Sequence, residues 1–429
     1  MKKETIKIGL LGLGTVGSGV YQILTQNSKD IERKLGAKIE IKRIAVRNLA
    51  KPRALVTDQK LLTDNLDHVL LDPEIDIVVE TMGGLEEARW AIASALERGK
   101  FVVTANKDLM AQYGIELLKI AKEQERNIYY EASVGGGIPI IRPLKNCLAA
   151  NRIVKIMGII NGTTNYILTK MSCENMEFEA ALAEAQAKGF AEANPASDIE
   201  GWDAAYKLNI MASLAFSSRI KMDDIHVEGI TEVKLRDIRY AQELGYAIKL
   251  LAIGEEKQNG LSLRVHPTLI PQSHPLAAVK NEFNAVFLEG DAVGEVMLYG
   301  RGAGALPTGS AVCGDIMEAA RAIKKEVQNG ILEATFTEKP IISLAAQSSR
   351  FYVRLKAKDE PGVFAQLAAA FGNADVSLDR IIQKRSVEKT AEIVLVTHDV
   401  KEGNFMQAIS SLRAMEAIRS INSILRVVE

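Results

Sequence analysis

The stretch E-A-N-P-A-S-D-I-E-G-W-D-A-A-Y-K-L-N-I, residues 192–210, gathers residue types that could do acid–base chemistry. Glu192, Asp198 and Asp203 are carboxylates, and Lys207 follows Asp203 by four residues. A lysine is protonated near neutral pH, so it can donate a proton or meet a developing negative charge. Carboxylates beside it would pair with it or with a cationic ligand, because buried charge has to be paired. A plainer reading competes. The i, i+4 spacing is also that of an exposed helical ion pair, worth about 0.2–0.5 kcal/mol. Against it, Trp202, Ala204, Ala205, Tyr206, Leu208 and Ile210 surround the pair with apolar surface, which suits a fully solvated face poorly. A second lysine, Lys107, closes the run V-V-T-A-N-K.

These residues need elements to position them. Apolar runs at 6–11, 41–46, 75–79, 101–103 and 128–130 read as buried parallel strands, with helical patterns such as 88–98 and 114–125 between them. That alternation is the grammar of a doubly wound sheet. Lys107 then falls beyond the carboxyl end of a strand, where such sheets bind ligands; a loop lysine in solvent is the alternative. Between about 131 and 301 the grammar changes. A helix is predicted at 139–149, a strand at 153–160, helices at 178–188 and 198–213, and strands at 247–253, 261–268, 285–289 and 295–299. This is an α+β domain. A further helical run leads to Lys325. The last 80 residues read strand 351–357, helix 363–372, strands 378–384 and 390–397, helix 404–417 and strand 423–428. That is the ferredoxin-like βαββαβ order. The expected division is a dinucleotide-binding domain at 1–138, completed by about 301–325, a substrate and dimerisation domain at 139–300, a linker at 326–349 and a regulatory domain at 350–429.

Residues 12–17 spell Gly-x-Gly-x-x-Gly between a predicted strand and a helix carrying Val16, Val20, Ile23 and Leu24. The first glycine permits a tight turn, the second admits a pyrophosphate, and the third lets helix and strand pack. The helix N-terminus offers N–H groups to phosphate. The motif alone is weak; its strand–turn–helix context favours a dinucleotide over an empty glycine turn. The second strand ends A-V-R-N, with Arg47 where an acid would bind a free ribose 2′-hydroxyl. A guanidinium suits a 2′-phosphate, which favours NADP; a solvated arginine is an equal alternative. E-A-S-V-G-G-G-I-P, residues 131–139, could line a cation site with carbonyls and Glu131, but its composition reads first as a hinge.

Together, G-L-G-T-V-G, V-T-A-N-K, E-A-S-V-G-G-G-I-P, N-G-T-T-N (161–165) and G-F-A-E-A-N-P-A-S-D-I-E-G-W-D-A-A-Y-K resemble the homoserine dehydrogenases, over residues from about 8 to 320. The segment from Phe351, with Asp359, Glu360, Pro361 and Gly362 at its first turn, resembles an ACT module. The resemblance implies a Rossmann-type dinucleotide-binding domain. It implies reversible reduction of L-aspartate 4-semialdehyde to L-homoserine with NADPH or NADH, in threonine, methionine and isoleucine biosynthesis. It makes Lys207 the proton donor and Lys107 a second lysine near nicotinamide and substrate. Gly189, Glu192, Asp198, Asp203 and Lys207 become substrate contacts. Gly12, Gly14, Thr15, Val16, Gly17, Arg47, Lys107 and Gly302 become cofactor contacts. Glu131, Val134, Gly136 and Ile138 match a sodium site, three of them through backbone carbonyls. The N-G-T-T-N loop could offer donors to the substrate carboxylate, or be a plain turn. Threonine is the leading effector for the ACT module, and a homodimer or homotetramer is expected.

Composition bounds the alternatives. Lys plus Arg is 53 and Asp plus Glu is 54, so a net charge of -1 gives no support to nucleic-acid or anionic-membrane binding. No apolar run is long enough to span a bilayer, and the start of the chain does not read as a signal peptide. Cys147, Cys173 and Cys313 are isolated, which argues against disulfides and structural zinc and makes the cytoplasm the default location. Two rivals remain: a catalytically silent nucleotide-binding sensor, and another semialdehyde or imine reductase. Retention of Lys107, Glu192, Asp203 and Lys207 together speaks against the first; the substrate loops speak against the second.

Overall fold

The structure is a computed structural model that describes residues 3–53, 55–56, 58–325, 336–385 and 389–428. Part of the expected linker, 326–335, lies outside the described residues. The chain forms two compact units. The first comprises Met1–Ile153, Tyr206–Met222 and Asn284–Glu338; the second comprises Val154–Ala205, Asp223–Phe283 and Lys339–Glu429.

In the first unit the strands Leu62–Thr63, Lys38–Ala45, Thr5–Leu11, Ile77–Glu80, Phe101–Thr104 and Ile128–Tyr129 lie side by side in that order. All pairs are parallel. In chain order this is 3-2-1-4-5-6, the Rossmann arrangement, with its switch point between Thr5–Leu11 and Ile77–Glu80. Ile77–Glu80 is buried throughout because both faces are covered, whereas the charged strand Lys38–Ala45 is only part-buried. Ile6, Ile8, Leu10, Ile77, Val79 and Val103 share a core with Val20 and Leu24 of helix Thr15–Gln26. Val312, Ile316 and Ala319 of helix Ala305–Lys325 complete it.

In the second unit the strands run Ile153–Ile159, Tyr246–Lys257, Gly260–Pro271, Ile418–Val427, Ser348–Lys358, Thr390–Thr397 and Leu378–Arg385. The last four belong to a βαββαβ module with helices Val363–Gly372 and Glu402–Arg413, in the ferredoxin-like order 4-1-3-2. Its fourth strand also pairs in parallel with Gly260–Pro271, Thr268 opposite Arg426 and Leu269 opposite Val427. The C-terminal module therefore continues a sheet of the α+β region.

Ser348–Lys358 is buried on both faces, and alternation along the strand sorts its residues. Phe351, Val353 and Leu355 enter the core beneath the module's helices, where Phe351 stacks on Phe405. Tyr352 and Arg354 turn the other way, toward helix Leu235–Glu243. There the Arg354 guanidinium donates to both oxygens of Asp237, at 2.7 and 3.0 Å, and the Tyr352 hydroxyl donates to Asp237 at 3.0 Å. Both charged residues are buried, so removing Arg354 would leave Asp237 without its cation at a cost of about 3–5 kcal/mol.

Three local expectations are corrected. The helix expected over 198–213 is two helices, Ala196–Ile199 and Trp202–Ala215. Gly201 between them has φ +92, and a Cβ there would crowd Val227 and the Glu228 carbonyl at 3.1 and 3.2 Å. The helix expected over 139–149 is shorter: residues 141–147 are helical, and Pro143–Cys147 widens into a π-helix. Pro143 sits in the first turn, where its missing N–H is not needed, and the N–H groups of residues 140–142, which a helix start leaves unpaired, are capped by Glu131. The N-G-T-T-N segment is not a free loop: Asn161 caps helix Gly162–Glu174.

Candidate functional site

The glycine turn forms as its spacing predicts. Gly12 has φ +94 and donates its N–H to the Ala45 carbonyl at 2.9 Å. A Cβ on Gly12 would lie 2.8 Å from the Met82 backbone and from the Thr81 carbonyl oxygen, so the turn packs directly on the loop after Ile77–Glu80. Helix Thr15–Gln26 begins at Gly14 with no side chain capping it. Space around Gly14 is open, with nothing within 4 Å of a Cβ placed there. An uncapped, accessible N-terminus at the switch point, with Thr15 and Val16 in its first turn and the buried Gly17 behind, fits a dinucleotide pyrophosphate. Arg47, two residues past Ala45, has a side chain 80% exposed and 3.5 Å from the Glu87 carboxylate. It can reach an added ligand without leaving a buried partner behind.

Lys107 is the first residue of helix Lys107–Glu123, which Asn106 caps by accepting the Leu109 N–H at 3.1 Å. The cap fixes where the Lys107 backbone emerges beyond strand Phe101–Thr104. Its side chain is 32% exposed, with Asp108 at 3.9 Å.

Asp198 and Asp203 come together on one neutral group. Asn161 Nδ2 donates to Asp198 Oδ1 at 2.7 Å and to Asp203 Oδ2 at 2.8 Å. Its Oδ1 accepts the Thr164 N–H at 2.8 Å and the Thr164 hydroxyl at 2.9 Å. Every polar atom of the Asn161 side chain is thereby engaged. An amide orients both carboxylates without neutralising either. Asp203 is buried, Asp198 half-buried and Glu192 exposed. Lys207 is half-buried one turn beyond Asp203 on helix Trp202–Ala215. Gly189 is exposed with φ +74, just after helix Phe178–Ala187. The next residue, Phe190, accepts the Thr163 hydroxyl at its carbonyl, 2.6 Å away. Asn161 is the residue whose role the sequence reading missed. The signal was present, since an asparagine before G-T-T is a helix N-cap pattern.

The predicted cation residues are buried: Glu131, Val134, Gly136 and Ile138. The Glu131 carboxylate accepts the N–H groups of Ile140, Ile141 and Arg142 at 2.5, 2.7 and 2.9 Å. Asp315 accepts the Glu131 N–H at 2.8 Å and an Arg142 N–H at 2.7 Å. Burial, reinforced by the Glu131 charge, pushes the Asp315 carboxyl up to about 6 despite the Arg142 guanidinium. Among the described residues, no group of three His, Cys, Asp or Glu side chains could hold a metal. The Glu131 carboxylate is spent on capping these main-chain N–H groups. Gly136 packs on the Gly302 backbone, 2.3 Å from where its Cβ would stand, and a Cβ on Gly302 would overlap the Asn284 side chain, so this passage is closely fitted.

Family models place this geometry. The model described as homoserine dehydrogenase matches residues 139–317, and that described as the homoserine dehydrogenase NAD-binding domain matches 12–131. An ACT domain model matches 351–417. A homoserine dehydrogenase from Synechocystis is 46% identical over 438 residues, covering 99% of both chains. The crystal structure of one from Thiobacillus denitrificans is 42% identical with a TM-score of 0.95, covering 100% of this chain and 99% of that one. A hyperthermophilic archaeal homoserine dehydrogenase solved with NADPH is 28% identical with a TM-score of 0.63, over 73% of this chain and 97% of that one. The chain therefore belongs to the homoserine dehydrogenase family and is an NAD(P)-dependent oxidoreductase carrying a C-terminal ACT domain.

Proposed function

We propose that the chain reduces L-aspartate 4-semialdehyde to L-homoserine with Lys207 as proton donor, and that it uses NADPH in preference to NADH. The observation that carries the substrate reading is the Asn161 clamp on Asp198 and Asp203, one turn before Lys207. Two oriented carboxylates, with the exposed Glu192, would hold the α-ammonium of the semialdehyde. Gly189, exposed and with open space around it, would be a further substrate contact. When bound, the dinucleotide supplies hydride to the aldehyde carbon. Lys207 then meets the negative charge on the carbonyl oxygen and gives it a proton, and Lys107 adds a second positive charge. Gly12, Gly14, Thr15, Val16 and Gly17 would hold the pyrophosphate, Arg47 the 2′-phosphate, and Gly302 a further part of the cofactor.

Sodium would sit on the carbonyls of Glu131, Val134, Gly136 and Ile138. Threonine would bind the ACT module, whose continuous sheet and Arg354–Asp237 bridge tie it to the substrate-binding region. A homodimer or homotetramer is the expected assembly, and the cytoplasm the expected location. Among the described residues no helix is long and apolar enough to cross a membrane.

NADPH oxidation assayed with L-aspartate 4-semialdehyde and with succinate semialdehyde tests the substrate reading. Turnover of the amino aldehyde alone is expected; equal turnover of the compound lacking the ammonium rejects it. Threonine titrated into the full chain should change its rate or thermal midpoint; no change in either rejects the sensor. Removing the ACT module is a poor substitute, because it would strip strand Gly260–Pro271 of its neighbour Ile418–Val427.

A further inference from the structure

Glu80 is a buried carboxylate that the chemistry above does not use. It is the last residue of strand Ile77–Glu80, at the switch point, with 0% exposure. A charge so placed needs donors, and Glu80 has them on both oxygens. Oε1 accepts the N–H groups of Met82 and Gly83 at 2.9 and 3.0 Å. Oε2 accepts the Thr104 hydroxyl at 2.6 Å. Burial pushes its carboxyl up, and these hydrogen bonds oppose the shift.

The network continues. Thr104 Oγ1 accepts the Asn106 N–H at 3.0 Å. Asn106 Nδ2 donates to the Gly84 carbonyl at 2.7 Å, while Asn106 Oδ1 caps the helix that starts at Lys107. The hydrogen bonds close a ring through Glu80, Thr104, Asn106 and the loop 82–84. One side of that loop packs on Gly12 of the glycine turn. The ring thus spans two neighbouring crevice loops, one beside the glycine turn and the other bearing Lys107.

We propose that Glu80 is a positioning residue for the reduction: through Thr104 and Asn106 it sets Lys107 against the loop that borders the glycine turn. The proposal rests on the reading of Lys107 as a crevice lysine. Glu80→Gln keeps the volume but replaces the carboxylate acceptor of the Thr104 hydroxyl with an NH₂ that can only donate to it, so the link to Thr104 is reversed and loses its charge. Misplacing a reacting group by about 1 Å costs on the order of 10²-fold in rate.

The test is a double-mutant cycle on the full-length enzyme with Glu80→Gln, Lys107→Ala and both, reading kcat and the KM for NADPH. Glu80→Gln is expected to lower kcat about ten- to a hundredfold, with the KM for NADPH within about threefold. In the Lys107→Ala background the same change is expected to cost less than about twofold. An equal loss in both backgrounds, or unchanged kcat in the folded variant, overturns the proposal. Normal kcat for Lys107→Ala alone rejects the Lys107 reading, and the proposal with it. If Glu80→Gln does not fold, Thr104→Val removes the same link, and the same cycle decides with the same outcomes. A purely structural role would lower the thermal midpoint equally in both backgrounds and show no coupling.

Discussion

Asn161 orients Asp203: its Nδ2 donates to Asp203 Oδ2 at 2.8 Å and to Asp198 Oδ1 at 2.7 Å. The same residue caps helix Gly162–Glu174, so one side chain sets both a helix start and a pair of carboxylates. Asn161→Ala should cost about 1 kcal/mol from the lost cap. It should also raise the KM for the semialdehyde about tenfold or more while the Kd for NADPH stays near its original value. Initial rates with each substrate varied separate the two effects. An unchanged semialdehyde KM would mean that the carboxylates do not hold the substrate.

Arg47 is exposed and only loosely paired with Glu87. Arg47→Ala should therefore leave stability alone and lower the kcat/KM ratio of NADPH over NADH. The loss of a charge-assisted contact of about 1.5–3 kcal/mol corresponds to roughly 10–100-fold in that ratio. An unchanged ratio removes Arg47 as the selector.

The cation reading makes a distinction between side chain and main chain. Because the Glu131 carboxylate is occupied by three N–H groups, its carbonyl is the ligand expected. Glu131→Gln should lower the thermal midpoint yet retain a sodium response. Activity is compared in sodium and in choline chloride at constant ionic strength. No difference in the unaltered protein rejects the site; loss of the response only in Glu131→Gln would make the carboxylate the ligand.

Acid should loosen the C-terminal seam. Arg426 bridges Glu402 and Glu228, and His226 adds a contact to Glu228 at 2.6 Å. Burial would raise the Glu228 carboxyl, but the His226 hydrogen bond and the Arg426 charge outweigh it and bring it down to about 2. Its folded pKa lies below the unfolded value of about 4.3. The stabilisation is therefore present above about pH 4.3 and is lost as pH falls toward 2. Arg426→Met should make the thermal midpoint, taken at one scan rate, fall less between pH 5 and pH 3. An identical fall in both proteins contradicts the assignment.

The parallel strands and the glycine turn were legible because both are local: an apolar run, then three glycines at fixed spacing. So was the βαββαβ order. What escaped had partners far along the chain. Glu80 meets Thr104 across 24 residues, and Arg354 meets Asp237 across 117. Strand Gly260–Pro271 carries no mark that it will pair with Ile418–Val427. The break at Gly201 was hidden because a lone glycine in a helical pattern is usually tolerated. Glu131 had a carboxylate's two possible uses, and only the position of residues 140–142 decides for capping.

Lys207 is the centre of the account. The decisive measurement is Lys207→Ala, with kcat for semialdehyde reduction and the Kd for NADPH determined on the same preparation. Loss of a positioned proton donor predicts a fall in kcat of about 10²–10⁴-fold with NADPH binding preserved. A folded Lys207→Ala enzyme with near-normal kcat would contradict it.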